Sequence, residues 1–440
     1  MEQIDEKFAK VIFKTMEKEV SDLIVFEERE KKKEVKFFNN KITKTEYSSS
    51  FNIDVFFTKE KRIMFSRIPT EDIEKAKKFC KKLIEISKIL PPKEDFYGIA
   101  SKGFNYRKIS NFDKNIANGG GLEKVENAIE VAKEKGRASG ILSLKTISHF
   151  LISSGGAEIE EKLTKYYFSF RFIKKDYFTA HKAVCGAFLK YLDAEKVANE
   201  AIELTNLTNK ILKAKAGRYF TIFEPLSFSS FVSNFAFAAS IFDVEAGLSF
   251  LKEKLKKAVA SEEVSIIDDP LLKNGYNSRI FDDEGVATRK KFIIKNGILT
   301  TYLFNTSYAK KYKTKTTGNA GLIEPSPFNL VVKGKNEKNK EKIIEDIKEG
   351  IWVTNNWYTR FNNYATGDFS TLPRDMLLYI KNGEVVGALK QLRISDNLLR
   401  MFLNIKAIGK EKEQVRWWDS PLPVVSPIVG IDNVFFTSVR

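Results

Sequence analysis

The sequence predicts an α+β protein, and two changes of pattern along the chain indicate this class. Helical and strand-like segments alternate up to about residue 216, which favours an N-terminal half of antiparallel strands and long helices. Beyond Gly217, strand patterns and Asn-Gly turns dominate, so the C-terminal half is predicted to be β-rich. Within it, Leu226 to Phe242 is an apolar run of helical length and is predicted to be a buried helix.

The length of the chain predicts more than one domain, because 440 residues exceed what one ordinary hydrophobic core supports. We expect an N-terminal α+β subdomain over residues 1–91, a central α+β subdomain over 92–216 and a β-rich domain over 217–440. The polar, Gly-rich segment 92–121 suggests the first boundary, and the change of pattern at Gly217 suggests the second.

The first predicted domain begins with an amphipathic helix over residues 4–24, where apolar side chains recur at helical spacing. Strand patterns follow at 35–38, 51–57 and 62–68, and the charged turn Lys59-Glu60-Lys61 joins the last two as a hairpin. Thr70 is the predicted N-cap of a helix to about Lys88, which Pro91-Pro92 ends.

The central domain is predicted to begin with a helix over 122–136 and to continue with strands. The strand patterns cover 141–152, 165–173 and 177–184, with a turn from Ser153 to Gly156 between the first two. Asp193 is a predicted cap for a helix to about Ala214, with Gly217 as its left-handed C-cap.

The C-terminal domain is predicted to contain a strand from Tyr219 to Phe223, the buried helix, and a further helix over 246–258. Ile294-Lys295-Asn296-Gly297-Ile298 and Ile380-Lys381-Asn382-Gly383-Glu384 predict two hairpins, because Asn and Gly both tolerate positive φ. A surface helix is predicted from Lys338 to Lys348, closed by Gly350.

The charge and cysteine content narrow the function classes. With 74 Lys and Arg against 57 Asp and Glu, the net charge of +17 suits either a nucleic-acid partner or a Lys/Glu-rich surface. The basic residues are interspersed with acids, which favours the surface interpretation. Two cysteines, no signal-peptide pattern and no apolar run of about 20 residues predict a cytoplasmic protein without a membrane span.

Three loop segments of the C-terminal half have both a functional and a structural interpretation. Five carboxylates between Asp268 and Glu284 suit a hard cation, or two acidic turns with local hydrogen bonds. The loop Thr317-Gly318-Asn319-Ala320-Gly321 suits an anion or a close peptide backbone, or a tight turn. The segment Thr366-Gly367-Asp368-Phe369-Ser370 is a turn or a loop that lines a substrate cleft.

The histidines and cysteines offer little metal-binding or nucleophilic chemistry. His181 lies four residues before Cys185 and could begin a metal site or a Cys-His pair, although two more ligands or an orienting group would be needed. His149 lies in a strand-like run and suits an ordinary structural role. No histidine or cysteine follows Cys185, so the last 255 residues lack both ligand types.

Taken together, the C-terminal segments resemble the TldD/PmbA family, also called the modulator of DNA gyrase or TldD/TldE metallopeptidase family. The N-terminal half resembles it more loosely, through 35–40, 51–68 and 153–156. The C-terminal segments that carry the resemblance, in order, are Phe281-Asp282-Asp283-Glu284-Gly285-Val286-Ala287-Thr288, 294–299, 317–321, 366–370, 380–384, 393–397 and Ile408-Gly409.

The resemblance implies cytoplasmic proteins that work in pairs on small or unfolded peptides. TldD-type chains carry a zinc-binding HExxxH helix, whereas PmbA/TldE-type chains lack it and pair with a TldD-type subunit. Here the implied metal ligands and base fall near Val232, Phe237 and Ser233, on a helix without His, Glu, Asp or Cys. The late cysteine ligand is also missing, and Trp417-Trp418-Asp419-Ser420 occupies its neighbourhood.

We therefore expect a non-catalytic PmbA/TldE-type subunit, with no cofactor in this chain and zinc in the partner. A heterodimer is implied, with a homodimer as a possibility, and an extended peptide would be held by strand addition near residues 317–321 and 366–370. Trp352, Trp357, Trp417 and Trp418 suit either interface anchors or core packing. The alternatives are a stand-alone metal-free binding module or hydrolase, and a nucleic-acid-binding protein.

Overall fold

The structure is a computed structural model that describes residues 7–107, 109–175, 178–390 and 392–438. Its α-helices are α1 (Phe8–Met16), α2 (Ile73–Ser87), α3 (Lys114–Ala117), α4 (Leu122–Ala132), α5 (Ala194–Asn206), α6 (Pro225–Phe237), α7 (Ile241–Glu245), α8 (Thr306–Lys311), α9 (Lys340–Glu345) and α10 (Leu398–Leu403). Its strands are β1 (Asp22–Phe38), β2 (Lys41–Lys59), β3 (Arg62–Arg67), β4 (Arg137–Ser153), β5 (Glu158–Lys175), β6 (Phe178–Gly186), β7 (Ile211–Leu212), β8 (Gly217–Phe223), β9 (Val264–Asp268), β10 (Lys291–Lys295), β11 (Ile298–Leu299), β12 (Leu330–Gly334), β13 (Glu337–Lys338), β14 (Glu349–Asn363), β15 (Asp368–Lys381), β16 (Glu384–Leu389), β17 (Leu392–Asn397), β18 (Ile405–Trp417) and β19 (Ser420–Ser438).

The N-terminal half is built on an antiparallel six-stranded sheet with the order β3-β2-β1-β4-β5-β6. The sheet takes β1–β3 from the predicted domain 1–91 and β4–β6 from the predicted domain 92–216, so these two regions share one sheet. Helices α1 and α2 pack on one part of it, where Phe8, Ile12 and Met16 meet Leu23 and Val25.

The C-terminal half is built on a larger sheet whose main path is β11-β10-β9-β12-β19-β8-β14-β15-β16-β7. Its central strands are covered on both faces: Ile351 and Val353 of β14 pack in the core that surrounds α6, while Trp352 between them packs with α4, α5 and the six-stranded sheet. Alternate side chains of a strand point to opposite faces, so α6 and α5 lie on opposite sides of this sheet. The α+β prediction is confirmed.

The predicted tight turns are confirmed. Glu60 and Lys61 adopt positive φ (50° and 63°) and join β2 to β3. Asn296-Gly297 (φ 46° and 79°) joins β10 to β11, and Asn382-Gly383 (φ 51° and 80°) joins β15 to β16. These are the left-handed turn residues that a two-residue hairpin requires.

Several helix boundaries in the N-terminal and central regions were predicted wrongly, and the helix predicted over 122–136 ends at Ala132. The helix predicted over 4–24 spans only Phe8–Met16, because Leu23 to Phe26 are buried in β1; residues 4–6 lie outside the described residues. Asp72, not Thr70, caps α2 by accepting from Lys75 N. The helix capped by Asp193 ends at Asn206, and Gly217 pairs with Phe436 in β8 instead of capping it.

Other predicted elements also differ from the structure. Residues 246–258 form turns, not a helix, and the run 226–242 is two helices, α6 and α7, separated at Ala238–Ser240. The surface helix is only α9, and Gly350 lies inside β14. The strand predicted at 35–38 is the end of β1, whose charged middle is stabilised by cross-strand ion pairs such as Lys145–Glu30 at 2.9 Å. Tyr177, the predicted start of a strand, lies outside the described residues.

Candidate functional site

The helix that would carry a zinc motif is α6, and it is buried on nearly all sides. Pro225 occupies the first turn, where a missing N–H costs nothing, and β8, β14 and β19 supply the neighbouring strands. Phe228, Phe231 and Phe235 have no exposed surface. The four serines of α6 are buried as well, so the predicted burial of this segment is confirmed, although the predicted single helix is interrupted after Phe237.

Aromatic rings fill the space around α6. The Phe235 ring lies 4.3 Å from that of Phe402 and 5.2 Å from that of Phe250, measured between centroids. The Phe231 ring lies 5.4 Å from that of Phe369, which follows the 366–368 turn. These are the distances of well-packed aromatic pairs, and they leave α6 as part of the core.

The structure brings Ser233 of α6 together with Ser420 at the start of β19. Their hydroxyl oxygens lie 3.0 Å apart, and both residues are fully buried. Val232 is also fully buried among apolar side chains, and Phe237 is half-buried at the end of the helix. The predicted neighbourhood of α6 and the 417–420 segment is therefore one place in the fold.

The side chains at this place do not fit a zinc ion. Zinc in proteins takes imidazole, thiolate or carboxylate ligands, and Val232, Ser233, Phe237 and Ser420 supply an isopropyl group, two neutral hydroxyls and a ring. Across the described ranges, no group of three or more His, Cys, Asp or Glu is placed to hold a metal ion. No catalytic step through a metal can be built on these residues.

A polar network beside Ser233 joins α6 to β14 and to Asp419. Asn356 accepts from Ser227 (2.6 Å) and donates to Ser230 (2.8 Å) of α6. The hydroxyl of Thr359 donates to an Asp419 carboxylate oxygen at 2.7 Å, and the Thr359 N–H points to the same group at 3.2 Å. Burial raises the pKa of Asp419, while the Thr359 hydrogen bonds oppose the shift. The network is a satisfied structural connection without a free reactive group.

An aromatic ridge borders this region, formed by Trp357, Tyr358, Trp417 and Trp418. The Trp417 and Trp418 rings lie 5.4 Å apart, and Tyr358 lies 5.2 Å from Trp418. Trp417 is 2% exposed, whereas Tyr358 and Trp418 are each 50% exposed. Trp352, on the opposite face of the sheet, is buried. Of the four tryptophans, Trp418 presents the most surface to a partner, while Trp352 and Trp417 are core residues.

The loop at residues 317–321 lies against the connection after α6. Thr317 N donates to Phe304 O, and the neighbouring Leu303 N donates to the carbonyl oxygen of Ala239, two residues after the end of α6. Thr317 and Asn319 are buried, and Asn319 donates to an Asp268 carboxylate oxygen at 2.7 Å. Most side chains of this loop are therefore engaged within the protein.

The glycines of that loop occupy positions without room for a side chain. Gly318 has a φ of +67°, and a Cβ there would lie 2.9 Å from Ala287 O. A Cβ at Gly321 would lie 2.5 Å from Glu324 O. The backbone, not the side chains, sets the shape of the loop.

The loop at residues 366–370 is the tip of the β14–β15 hairpin. Gly367 is buried with a φ of +83° against the Phe250 ring, while Thr366 and Asp368 are exposed. Asn397 donates to Thr366 O (2.7 Å) and to an Asp368 carboxylate oxygen (2.9 Å), which fixes the turn. The exposed Thr366 and Asp368 make this the more accessible of the two loops.

The carboxylates between Asp268 and Glu284 are used locally. Asp282 accepts from the backbone N–H groups of Val286 (2.9 Å) and Ala320 (3.0 Å), and Asp268 pairs with Lys291 at 3.0 Å. Burial raises the pKa of Asp282 and of Glu284. The described geometry fits the structural interpretation of two hydrogen-bonded turns.

His181 does not form a catalytic pair. The Asn355 side-chain amide is oriented by the Asn356 N–H donating to its oxygen (2.9 Å) and by its nitrogen donating to Asp375 (3.0 Å). That same nitrogen lies 3.2 Å from Nδ1 of His181, so Nδ1 accepts and Nε2 carries the proton. Nε2 then donates to Ser169 Oγ at 2.9 Å, and His181 cannot remove the serine proton.

The remaining histidine and cysteine chemistry is structural. Burial lowers the pKa of His181 to about 3, and burial raises the pKa of the Cys185 thiol. Residues four apart on a strand are separated by roughly 13 Å, which is too far for a Cys-His pair. His149 lies between Glu28 (3.1 Å) and Glu161 (3.3 Å) in a buried ionic cluster.

The family resemblance indicated the 417–420 segment as a neighbour of α6, but sequence reasoning missed Asn356 and the individual hydrogen bonds. Ser233 and Ser420 are 187 residues apart, and Ser227 and Asn356 are 129 apart. The serines within the apolar run make buried hydrogen bonds in the structure. None of the helices in the described ranges combines the length and the apolar character needed to cross a membrane.

Comparisons with known proteins agree with this architecture. A family model of the PmbA/TldA metallopeptidase C-terminal domain matches residues 216–438. A protein named a metalloprotease in Methanocaldococcus jannaschii is 31% identical over 281 residues, 60% of this chain and 60% of that protein. A metalloprotease PmbA homolog of Buchnera aphidicola is 32% identical over 203 residues, 44% of this chain and 43% of that protein. The matches thus span about half the length of these curated relatives.

Solved structures share the fold over almost the whole chain. TldE from Thermococcus kodakarensis aligns with a TM-score of 0.86 and 21% identity, covering 98% of this chain and 100% of that one. A protein described as a modulator of a DNA gyrase, from Thermotoga maritima, aligns with a TM-score of 0.82 and 21% identity, covering 98% and 99%.

Proposed function

The chain belongs to the PmbA/TldD metallopeptidase family, as its motifs predicted, and we propose that it is a non-catalytic subunit of the PmbA/TldE type. In this role it pairs with a TldD-type subunit, which carries the zinc and cleaves small or unfolded peptides. The pair forms in the cytoplasm. The chain closes the chamber in which the peptide is held and contributes no ligand to the metal.

One observation carries the proposal: the hydroxyls of Ser233 and Ser420 lie 3.0 Å apart, at the positions where the family resemblance implies metal chemistry. Two neutral hydroxyls that satisfy each other are poor ligands for a divalent ion. The other polar side chains of α6 are serines and one asparagine, and the helix offers no imidazole, thiolate or carboxylate in place of these hydroxyls. A helix without zinc-ligating side chains, in a fold shared with other members of the family, supports an assisting role.

The substrate is held by the backbone in this proposal. An extended peptide adds to a strand edge through main-chain hydrogen bonds, which grip any sequence. The turn at Thr366, Gly367 and Asp368 is exposed and adjoins α6 through Phe369, so it lines the chamber together with the 317–321 loop. The exposed ring of Trp418 packs against the TldD-type partner.

The test is co-expression with a TldD-type chain from the same organism. Zinc content and cleavage of an unfolded peptide are measured for each chain alone and for the pair. We expect activity only from the pair, and zinc only in the partner. Stoichiometric zinc in this chain alone would overturn the proposal.

Substitutions separate an assisting role from a catalytic one. Ser233→Ala removes one hydroxyl with little change of volume, and it is expected to leave at least half of the activity of the pair. The matched control replaces the first histidine of the partner's HExxxH motif and should abolish cleavage. A loss above tenfold in Ser233→Ala, in a pair that still assembles on size-exclusion chromatography, would assign chemistry to this chain.

The alternative of a metal-free hydrolase is not favoured by the geometry. The Ser169–His181 contact has its proton on the wrong nitrogen for general-base catalysis, and Cys185 is a buried thiol of raised pKa. In the part of the chain that the structure describes, we identify no feature that favours the nucleic-acid alternative. Nucleic-acid binding would weaken steeply as the salt concentration rises, and we expect no nucleic-acid binding at physiological salt.

A further inference from the structure

A cleft of about 880 Å³ lies on the face of the C-terminal sheet opposite α6. Its walls come from α5, α9, β18 and the β15–β16 turn, and Lys182 of β6 lies at its base. We call it the Lys182 cleft. Of α6, only its first residue, Pro225, lines the cleft, so the cleft is separate from the Ser233–Ser420 contact and from the loops at 317–321 and 366–370.

Lys182 is held by carboxylates on three different elements. Its ammonium lies 2.8 Å from Glu200 of α5, 2.8 Å from Glu413 of β18 and 3.9 Å from Glu224 before α6. Burial alone would lower the pKa of Lys182, but Glu413, Glu224 and Glu200 raise it, so the ammonium stays charged. The base of the cleft is a fixed ionic cluster.

Beside Lys182, the floor of the cleft combines an ion pair with an aromatic ring. Lys340 pairs with Glu224 at 3.3 Å and lies 4.5 Å from the centre of the Trp352 ring. The Trp352 indole N–H donates to Glu224 at 3.1 Å. Lys182, Glu224 and Trp352 are all nearly buried, so the floor of the cleft is pre-organised.

The charges that remain without an ion pair are mostly negative. Among the described residues that line the cleft, four exposed glutamates form no ion pair, whereas only one lysine, Lys410, forms none. These glutamates are Glu203, Glu341, Glu384 and Glu411. The other lining lysines are paired, for example Lys412 with Glu337 at 2.6 Å. The cleft is thus an acidic site on a chain of net charge +17, which attracts a cation.

Apolar side chains lie between the charged groups. The lining includes Leu204 and Leu207 from the end of α5, Ile344 of α9, Val385 of β16 and Ile428 of β19. A ligand that combines methylene groups with a charged end matches this alternation, because the chain covers apolar surface while the charge meets carboxylates.

We propose that the Lys182 cleft binds an alkylammonium group, meaning a protonated primary amine on an aliphatic chain. Two sources supply this chemistry: a free diamine or polyamine, and the lysine side chain of a peptide. The ammonium contacts the rim carboxylates Glu203 and Glu411, and the methylenes lie along Leu204 and Leu207. The proposal does not depend on the assisting role of the chain in proteolysis.

The experiment is isothermal titration of the full chain with 1,5-diaminopentane and with Nα-acetyl-lysine amide, using 1,5-pentanediol as the uncharged control. We expect at least one amine to bind with a Kd below 1 mM and the diol to bind at least tenfold more weakly. The tighter amine identifies the source. Failure of both amines to bind, or equal binding of the diol, would overturn the proposal.

Variants locate the binding. The rim double variant Glu203→Gln/Glu411→Gln changes exposed side chains and should weaken amine binding at least tenfold while the circular dichroism spectrum stays the same. Glu262→Gln, an exposed glutamate outside the cleft that pairs with Lys335, is the matched control and should bind as the wild type does. Unchanged binding in the rim variant, or the same loss in Glu262→Gln, would place the amine elsewhere.

Discussion

Replacing Phe235 with alanine tests whether α6 is a core helix. Phe235 has no exposed surface, and its ring packs on Phe402 and Phe250. A buried phenylalanine withdraws on the order of 200 Å² from water, worth about 5 kcal/mol at about 25 cal/mol per Å². Alanine keeps part of this burial and leaves a cavity, so the expected loss in the free energy of unfolding is about 3–5 kcal/mol.

The measurement is urea unfolding followed by circular dichroism and tryptophan fluorescence. Leu403→Ala, at the 43% exposed end of α10 next to Phe402, is the matched control and should cost below about 1 kcal/mol. Phe235→Leu is a milder variant that keeps the protein folded if the alanine variant does not fold, with an expected cost of about 1–2 kcal/mol. If Phe235→Ala cost no more than Leu403→Ala, α6 would not be part of the core.

Three further outcomes are expected. Burial, and then the Asp282 carboxylate, raise the pKa of Glu284 above its ordinary 4.5. Above pH 4.5 the folded state therefore binds one proton more than the unfolded state. The contribution of Glu284 to the free energy of unfolding is complete below pH 4.5 and is lost as the pH rises. Glu284→Gln should make the free energy of unfolding in urea less dependent on pH between about pH 5 and 9. Gly297→Ala should cost at least about 1 kcal/mol more than Gly247→Ala, because both have positive φ but only the Gly297 Cβ would meet a backbone oxygen, Ala260 O at 2.5 Å. A chelator should leave the unfolding transition unchanged, whereas loss of a metal present at 100 times its Kd would lower stability by about 2.7 kcal/mol.

The elements that were predicted best from the sequence are those determined by a local sequence pattern. The turns at Asn296-Gly297 and Asn382-Gly383 need positive φ at both positions, and these residue types reveal it. The apolar run of α6 revealed its burial in the same way. By contrast, the middle of β1 is charged and lacks alternation, and it is a strand because β2 and β4 pair with it along its length. That pairing depends on segments far away in sequence.

Boundaries failed where tertiary contacts override local propensity. Gly217 after a helical pattern suits a C-cap, but the chain there pairs with β19 and begins a strand at the centre of the larger sheet. Residues 246–258 have helical spacing of apolar side chains, yet Phe250 and Leu251 are buried against α6 from a chain of turns. Each time, burial against a distant partner is worth more than helix propensity.

For the candidate site, the sequence predicted which metal ligands are missing but not which contacts take their place. The absence of ligand side chains on the α6 run can be read directly from its residues, as can the loss of a late cysteine near Trp417. The resemblance placed Ser233 and the 417–420 segment in one neighbourhood, but the hydrogen bond between the Ser233 and Ser420 hydroxyls could not be predicted, because serine carries no spacing signal. The Lys182 cleft was missed because its carboxylates come from elements far apart in the sequence, namely α5, β18 and the residue before α6.

The serines of α6 explain how this helix can be buried on all sides without leaving polar groups unsatisfied. Ser229 and Ser230 each donate to the backbone carbonyl three residues before, at 2.8 and 3.0 Å, which hides a hydroxyl within the helix itself. Ser227 and Ser230 also satisfy Asn356 across the interface. A metal ligand at Ser233 would have to displace Ser420 and leave its hydroxyl without this partner, at a cost of about 1–3 kcal/mol. A metal ligand at this position would therefore require coordinated changes on α6 and β19, because Ser233 and Ser420 contact each other across the two elements.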